Sequence, residues 1–204
     1  MPGFGKLVRQ LRYGKPIVVV SGLPRSGTSM AMKMLEAGGM DMVIDHVRTA
    51  DEDNPKGYYE DQRVMDLAQA KDKSWLKDSR GKCVKIIAYL LSHLPMENNY
   101  KVVFMHRDIE EVLASQKKML DRRGEASDTE DAAMIEAYDQ NLERVRFMLK
   151  FRDCFETLEI NYREVIREPE AHANRIADFL GLPLDRRAMA SVVDPELYRN
   201  RGAS

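Results

Sequence analysis

Val18-Val19-Val20-Ser21-Gly22-Leu23-Pro24-Arg25-Ser26-Gly27-Thr28-Ser29 is a β-branched run that breaks into a glycine-bounded loop and then enters a helix. Ile17 to Val20 have the continuous apolar character of a buried parallel strand. Gly22 and Gly27 permit the tight backbone path that turns successive N–H groups inward. Thr28 and Ser29 open a helix made largely apolar by Met30, Met32, Met34 and Leu35, and Gly38-Gly39 stops it. The loop therefore stands at a helix N-terminus, where unpaired N–H groups and the helix dipole favour an anion.

The triphosphate-binding loop GxxxxGK[ST] has a lysine directly before its Ser/Thr, which reaches the β and γ phosphates. Here the frame runs from Gly22 to Gly27, Thr28 fills the lysine slot, and the cation has moved inside the loop to Arg25. A mononucleotide frame without that lysine argues against an ordinary ATPase or kinase. The plain alternative is a glycine turn joining a strand to a helix.

Outward from the loop, apolar runs alternate with helical patterns. Pro2 to Lys15 is a basic lead-in whose glycines suggest irregular backbone. Gly38 to Asp53 is a polar connector, and Asn54-Pro55-Lys56-Gly57 is turn chemistry. Tyr58-Tyr59-Glu60-Asp61 leads into a helical segment in which Val64, Leu67 and Ala68 share a face. Cys83 to Ile87, Lys101 to Met105 and Phe155 to Ile160 are further strands. Ile109 to Leu120 is helical, and Thr129 to Phe151 is the longest helix, with Met134, Tyr138, Leu142, Val145 and Leu149 forming a core-facing stripe. Tyr162 to Ile166 is a helical turn, and Pro169 opens a last helix that Gly181 ends. This alternation predicts an α/β fold, a P-loop-like three-layer sandwich with a central parallel sheet, in which ligands bind beyond the carboxyl ends of the strands.

At 204 residues with 44% hydrophobic content the chain suits one domain spanning 1–204, with a lead-in at 1–15 and a charged tail at 184–204. Its net charge of -1 supplies no global positive field for nucleic acid or an anionic membrane, so any anion site must be local. Cys83 and Cys154 suit buried reduced thiols, and no apolar run approaches the ~20 residues of a membrane span. A cytoplasmic protein is expected.

Phe104-Met105-His106-Arg107-Asp108 ends the third strand, and Ser115 follows Arg107 by eight residues on the next helix. A guanidinium and a helix hydroxyl so placed suit a phosphate, although an exposed Arg107-Asp108 pair would also fit the pattern. GLPRSGTS, this Arg107/Ser115 spacing, and Asn161-Tyr162-Arg163-Glu164 followed by Asp178-Phe179-Leu180-Gly181-Leu182-Pro183 together resemble the sulfotransferases that use 3′-phosphoadenosine 5′-phosphosulfate (PAPS), in their bacterial and Golgi-like form. The resemblance covers roughly residues 16 to 184.

The resemblance implies that Arg25, Ser26, Gly27, Thr28 and Ser29 hold the 5′-phosphosulfate, that Arg107 and Ser115 read the 3′-phosphate, and that Tyr162 lies near the adenine. It assigns Arg25 to the departing phosphate and Lys85, in Val84-Lys85-Ile86-Ile87, to the sulfuryl group. On its own Lys85 could equally be a strand lysine reaching solvent. Glu60 matches the base of the bacterial members, but could instead cap the following helix. His46 is the second candidate base. His93 follows Lys85 by eight residues where the cytosolic members' histidine follows by two, and is expected to be structural. Met30 stands where those members carry a tryptophan, and the C-terminal RKGxxGDWK motif is absent, leaving Arg199 and Arg201 to replace its phosphate arginine. The implied activity is sulfuryl transfer to a small-molecule or glycan hydroxyl or amine, with PAPS as co-substrate and no metal expected. The alternatives are a nucleotide or small-molecule kinase and a degenerate nucleotide-binding module.

Overall fold

The apolar run after Pro16 forms the centre of a parallel sheet. In the computed structural model, which describes residues 2–45, 59–123 and 131–194, β1 (Ile17–Gly22) is buried at every residue. It pairs with β2 (Cys83–Lys85) on one side and β3 (Tyr100–His106) on the other, and β4 (Phe155–Asn161) adds beyond β3. All pairs are parallel, in the order β2-β1-β3-β4. The registers place Lys85 beside Val20 and Met105 beside Gly22.

The helices are α1 (Pro2–Tyr13), α2 (Thr28–Ala37), α3 (Gln62–Met65), α4 (Trp75–Asp78), α5 (Ile109–Arg123), α6 (Asp131–Phe151), α7 (Tyr162–Arg167), α8 (Pro169–Leu180) and α9 (Arg186–Ser191), with 3-10 turns at Asp66–Ala68 and Ala88–His93. Successive strand residues point to opposite faces, so the sheet carries a core on each side. Ile17, Val19, Val84 and Phe104 pack with Val145 and Leu149 of α6. Val18, Val20, Met105 and Ile160 pack with Met32 and Leu35 of α2 and Ile176 and Leu180 of α8. Helices on both faces of a parallel sheet make the expected three-layer α/β sandwich, and each fully buried side chain of this size contributes roughly 1.5–3 kcal/mol.

Local expectations differ in three places. The lead-in is helical rather than irregular, because Phe4, Leu7, Val8 and Leu11 have helical spacing and the sole interruptions before Gly14 are Gly3 and Gly5 in the opening turn. The charged tail contains α9, whose first N–H groups are capped by Asp185, which accepts from the Ala188 N–H at 2.9 Å. In α6 the stripe reaches the core only in its second half: Val145, Met148 and Leu149 are buried, while the Tyr138 hydroxyl donates to Gln116 Oε1 at 2.9 Å. The proposed N-cap Thr129 lies outside the described residues.

Cys83 and Cys154 are buried free thiols, and burial raises the pKa of both. Among the described residues no helix is long and apolar enough to cross a membrane. After β1 the chain goes to β2 on one flank and then to β3 on the other, which opens a crevice at the carboxyl ends of β1 and β3.

Candidate active site

Both loops flanking that crevice carry the residues singled out by spacing. Gly22 has φ +150°, and a Cβ there would stand 2.6 Å from the Met105 carbonyl oxygen and overlap the Ser26 hydroxyl. At Gly27, φ +95°, a Cβ would enter the Tyr162 ring, with Cε2 at 3.0 Å and Cγ at 3.3 Å. Glycine is therefore required at both ends of the loop for space as well as conformation. Gly27 is the N-cap of α2, so no side chain covers the helix N-terminus from that position.

Arg25 adopts φ 68°, a left-handed conformation costing about 1 kcal/mol in a non-glycine residue. Two contacts hold it there. Its Nε donates to Ser115 Oγ at 3.1 Å, and its carbonyl accepts from Arg107 Nη1 at 3.1 Å. Ser21 and Ser26 are buried with hydroxyl oxygens that have no hydrogen-bond partner. Buried polar atoms left unpaired are costly, and these two stand at the end of β1 and in the loop that follows it.

At the end of β3, Arg107 is not half of an exposed pair with Asp108. Asp108 instead accepts from the N–H groups of Glu110 at 3.0 Å and Glu111 at 3.3 Å, capping α5. The Arg107 guanidinium, 8% exposed, donates through Nε to Glu111 Oε2 at 3.0 Å and lies 4.6 Å over the Tyr162 ring. Glu111 also accepts from Arg163 Nη2 at 2.6 Å, and its side chain is 1% exposed. A carboxylate that deep is tolerable because two guanidiniums compensate it. Sequence spacing singles out neither Glu111 nor Arg163. The i,i+4 relation of Arg107 to Glu111 was an available signal, whereas the Arg163 contact spans 52 residues of chain.

Lys85 does not reach solvent: its side chain is 9% exposed and its Nζ meets Glu60 Oε1 at 3.1 Å. Glu60 is not the helix cap either. Asp61 is the N-cap of α3, accepting from the Arg63 N–H at 3.0 Å and from its guanidinium, which leaves the Glu60 carboxylate turned to Lys85. Asp45 fixes this segment, because its N–H donates to the Glu60 carbonyl and its carboxylate accepts from the Gln62 N–H at 2.6 Å. Tyr59, at φ 49°, donates its hydroxyl to Glu36, and burial together with that carboxylate pushes the phenol pKa up.

The structure thus gathers Arg25, Gly27, Arg107, Ser115 and Tyr162 into one contact network, with Lys85 and Glu60 as a pair on the β2 side of β1. His93 ends its 3-10 turn exposed, and its carbonyl accepts from Lys73 at 2.9 Å. His46 and Arg201 lie outside the described residues.

A family model of the sulfotransferases matches residues 62–186, more than half of the chain. The chain belongs to the sulfotransferase family. The match begins after the phosphate-type loop, so loop and family are independent observations. The sulfotransferase fold extends over the loop as well. Sulfotransferase STF1 from Mycobacterium tuberculosis H37Rv superposes with TM-score 0.61 at 15% identity, covering 92% of this chain and 76% of that one. The sulfotransferase domain of the curacin biosynthetic pathway gives 0.53 at 14% identity, covering 91% and 87%. That of the Synechococcus PCC 7002 olefin synthase gives 0.51 at 18%, covering 92% and 83%. No curated protein matches the chain significantly.

Proposed function

We propose that this sulfotransferase uses PAPS and transfers its sulfuryl group to a hydroxyl or amine of a small-molecule or glycan acceptor by in-line displacement. The observation that carries the reading is the meeting of Arg25, Arg107 and Ser115 in the crevice between β1 and β3. A nucleotide bearing phosphates at both 5′ and 3′ positions needs two anion sites held at fixed separation, and the Arg107–Arg25 hydrogen bond couples the two. The unpaired hydroxyls of Ser21 and Ser26 and the uncapped start of α2 suit the 5′ end.

PAPS supplies an activated sulfuryl group: an acceptor O–S or N–S bond forms as the S–O bond to the 5′-phosphate breaks, releasing 3′-phosphoadenosine 5′-phosphate (PAP). The residues of this chain divide the remaining work. The backbone N–H groups of Gly27 to Ser29, at the start of α2, and the Arg25 guanidinium take up charge on the departing phosphate, while the Ser26 N–H closes the loop on the Leu23 carbonyl at 3.2 Å. Arg107 and Ser115 hold the 3′-phosphate, and Tyr162 braces the Arg107 guanidinium from below while its ring closes on Gly27. Lys85 faces the sulfuryl oxygens, and Glu60 accepts the acceptor's proton as general base. The Lys85 Nζ contact at 3.1 Å fixes the position of the Glu60 carboxylate beside the sulfuryl site.

Calorimetric titration with PAP, 5′-AMP and magnesium ATP tests this. Tight PAP binding with little response to AMP is expected, since only PAP offers the 3′-phosphate. A preference for ATP would replace the proposal with a kinase, and no binding of any of the three would leave a degenerate scaffold.

A further inference from the structure

α1 is docked with its polar side inward. Arg9 donates to Asn99 Oδ1 at 3.2 Å and to the carbonyls of Met96 at 2.7 Å and Asn98 at 3.1 Å, and Asn99 in turn donates to the carbonyls of Arg9 and Gly14. The apolar stripe points the other way: Leu7 is 57%, Val8 46% and Leu11 80% exposed. A helix on a water-soluble surface shows the opposite arrangement. The apolar surface also continues past the helix. Leu7 and Leu182, the latter 38% exposed, both line a cavity of about 600 Å³ at the amino edge of the sheet, with Tyr100 and Leu180 in its wall.

The charge around this stripe selects what covers it. Within the first 35 residues every charged side chain is a cation, Lys6, Arg9, Arg12 and Lys15 among them, and the first acid in the chain is Glu36. Asp153 and Glu156 line the cavity beyond Leu7, away from Leu11 and Arg12, which do not line it. Arg12 and Lys15 are exposed beside the stripe. Two copies packed through α1 would oppose like charges, and the stripe of a helix about 18 Å long falls well short of the ~800 Å² per partner that a stable dimer buries. An anionic lipid surface meets both features: it takes in apolar side chains and attracts the cations flanking them.

We propose that α1 is an interfacial anchor that seats the protein on an anionic bilayer, with Leu7, Val8 and Leu11 entering the headgroup boundary and Arg12 and Lys15 meeting the headgroups. The six residues of β1 then hold the phosphate-type loop about 20 Å away at the opposite edge of the sheet, facing water. The chain's overall charge of -1 does not oppose this, because attraction to the surface is local, decaying within about 10 Å.

Cosedimentation of the full chain with phosphatidylcholine vesicles containing about 30 mol% phosphatidylserine, against phosphatidylcholine alone, tests the anchor. The expected result is at least tenfold stronger partition onto the anionic vesicles, reduced by salt. Leu11→Asp abolishes it, and Arg12→Glu with Lys15→Glu lowers it by about tenfold or more. Both variants change exposed side chains, and unaltered PAP binding and far-ultraviolet dichroism show that the fold is intact. No partition, equal partition onto neutral vesicles, or wild-type partition by Leu11→Asp would overturn the proposal. So would a concentration-dependent dimer that Leu11→Asp dissolves, which would assign the stripe to a second copy. None of these outcomes bears on the nucleotide site, which the titration with PAP tests separately.

Discussion

Glu111 and Glu60 both face a cation at the carboxyl edge of the sheet, but in different surroundings. Glu111 is 1% exposed and clamped between Arg107 and Arg163, with oxygens at 3.0 and 2.6 Å from them. Glu60 is 36% exposed beside Lys85 at 3.1 Å. A carboxylate sealed between two guanidiniums has no access to an incoming hydroxyl, so its work is to orient arginines. A carboxylate with a third of its surface open can exchange a proton with an acceptor. The side of the site around Arg107 is thus built into the core, while the side around Glu60 stands open; on the proposed chemistry the same kind of side chain serves architecture in one and proton transfer in the other.

Four measurements would break or sharpen that contrast. The largest effect is expected for Glu60→Gln: on the proposed chemistry kcat falls about 10²- to 10⁴-fold. PAP affinity stays unchanged, and stability moves by no more than about 1 kcal/mol, as for a partly exposed ion pair. Turnover at the wild-type rate would remove Glu60 as the base. Glu111→Gln should act in the opposite sense, costing about 3 kcal/mol in denaturant unfolding because two guanidiniums lose a buried counter-charge. Wild-type stability in that variant would show that the clamp is not what holds Arg107.

Arg107→Ala comes third. Loss of a charge-assisted contact of ~2 kcal/mol weakens PAP binding roughly thirtyfold while 5′-AMP binding is little altered. Equal weakening of both nucleotides would mean that Arg107 positions the loop through the Arg25 carbonyl rather than reading the 3′-phosphate.

The smallest effect concerns His106, at the end of β3, where Nδ1 meets Arg146 at 3.1 Å and Nε2 meets Glu159 at 3.0 Å. Burial, aided by Arg146, lowers its pKa despite the Glu159 carboxylate. The unfolded chain then takes up a proton more readily than the folded one, so stability declines as pH falls through the ordinary histidine range near 6.5. Melting temperatures measured between pH 7.5 and 5 should fall less steeply in His106→Gln than in the wild type. Identical slopes would assign the acid sensitivity to other groups.

Much of the local geometry around the loop and the end of β3 was legible in the sequence because its signals are local. The Gly22–Gly27 frame, the strand-to-helix passage around it and the eight-residue step from Arg107 to Ser115 each depend on neighbours within one or two elements. The half around Glu60 was less so. Whether Glu60 or Asp61 caps α3 turns on a single backbone rotation, and the sequence offers two adjacent acids for one cap. Glu111 was missed because its second partner, Arg163, lies on another helix, and α1 was misjudged because its glycines outweighed a four-residue apolar stripe.

The linear order of residues was enough for the α/β class, the phosphate-type loop and the cation that departs from the triphosphate pattern, since these rest on periodicity and on glycine conformations that are properties of short segments. Only the folded chain showed that Glu111 joins Arg107 to Arg163, that Lys85 turns inward to Glu60, and that α1 presents its apolar side outward. Those are contacts and exposures between segments far apart in sequence. Burial, which sets the cost of every unpaired charge and every uncovered leucine, exists only once the layers have packed.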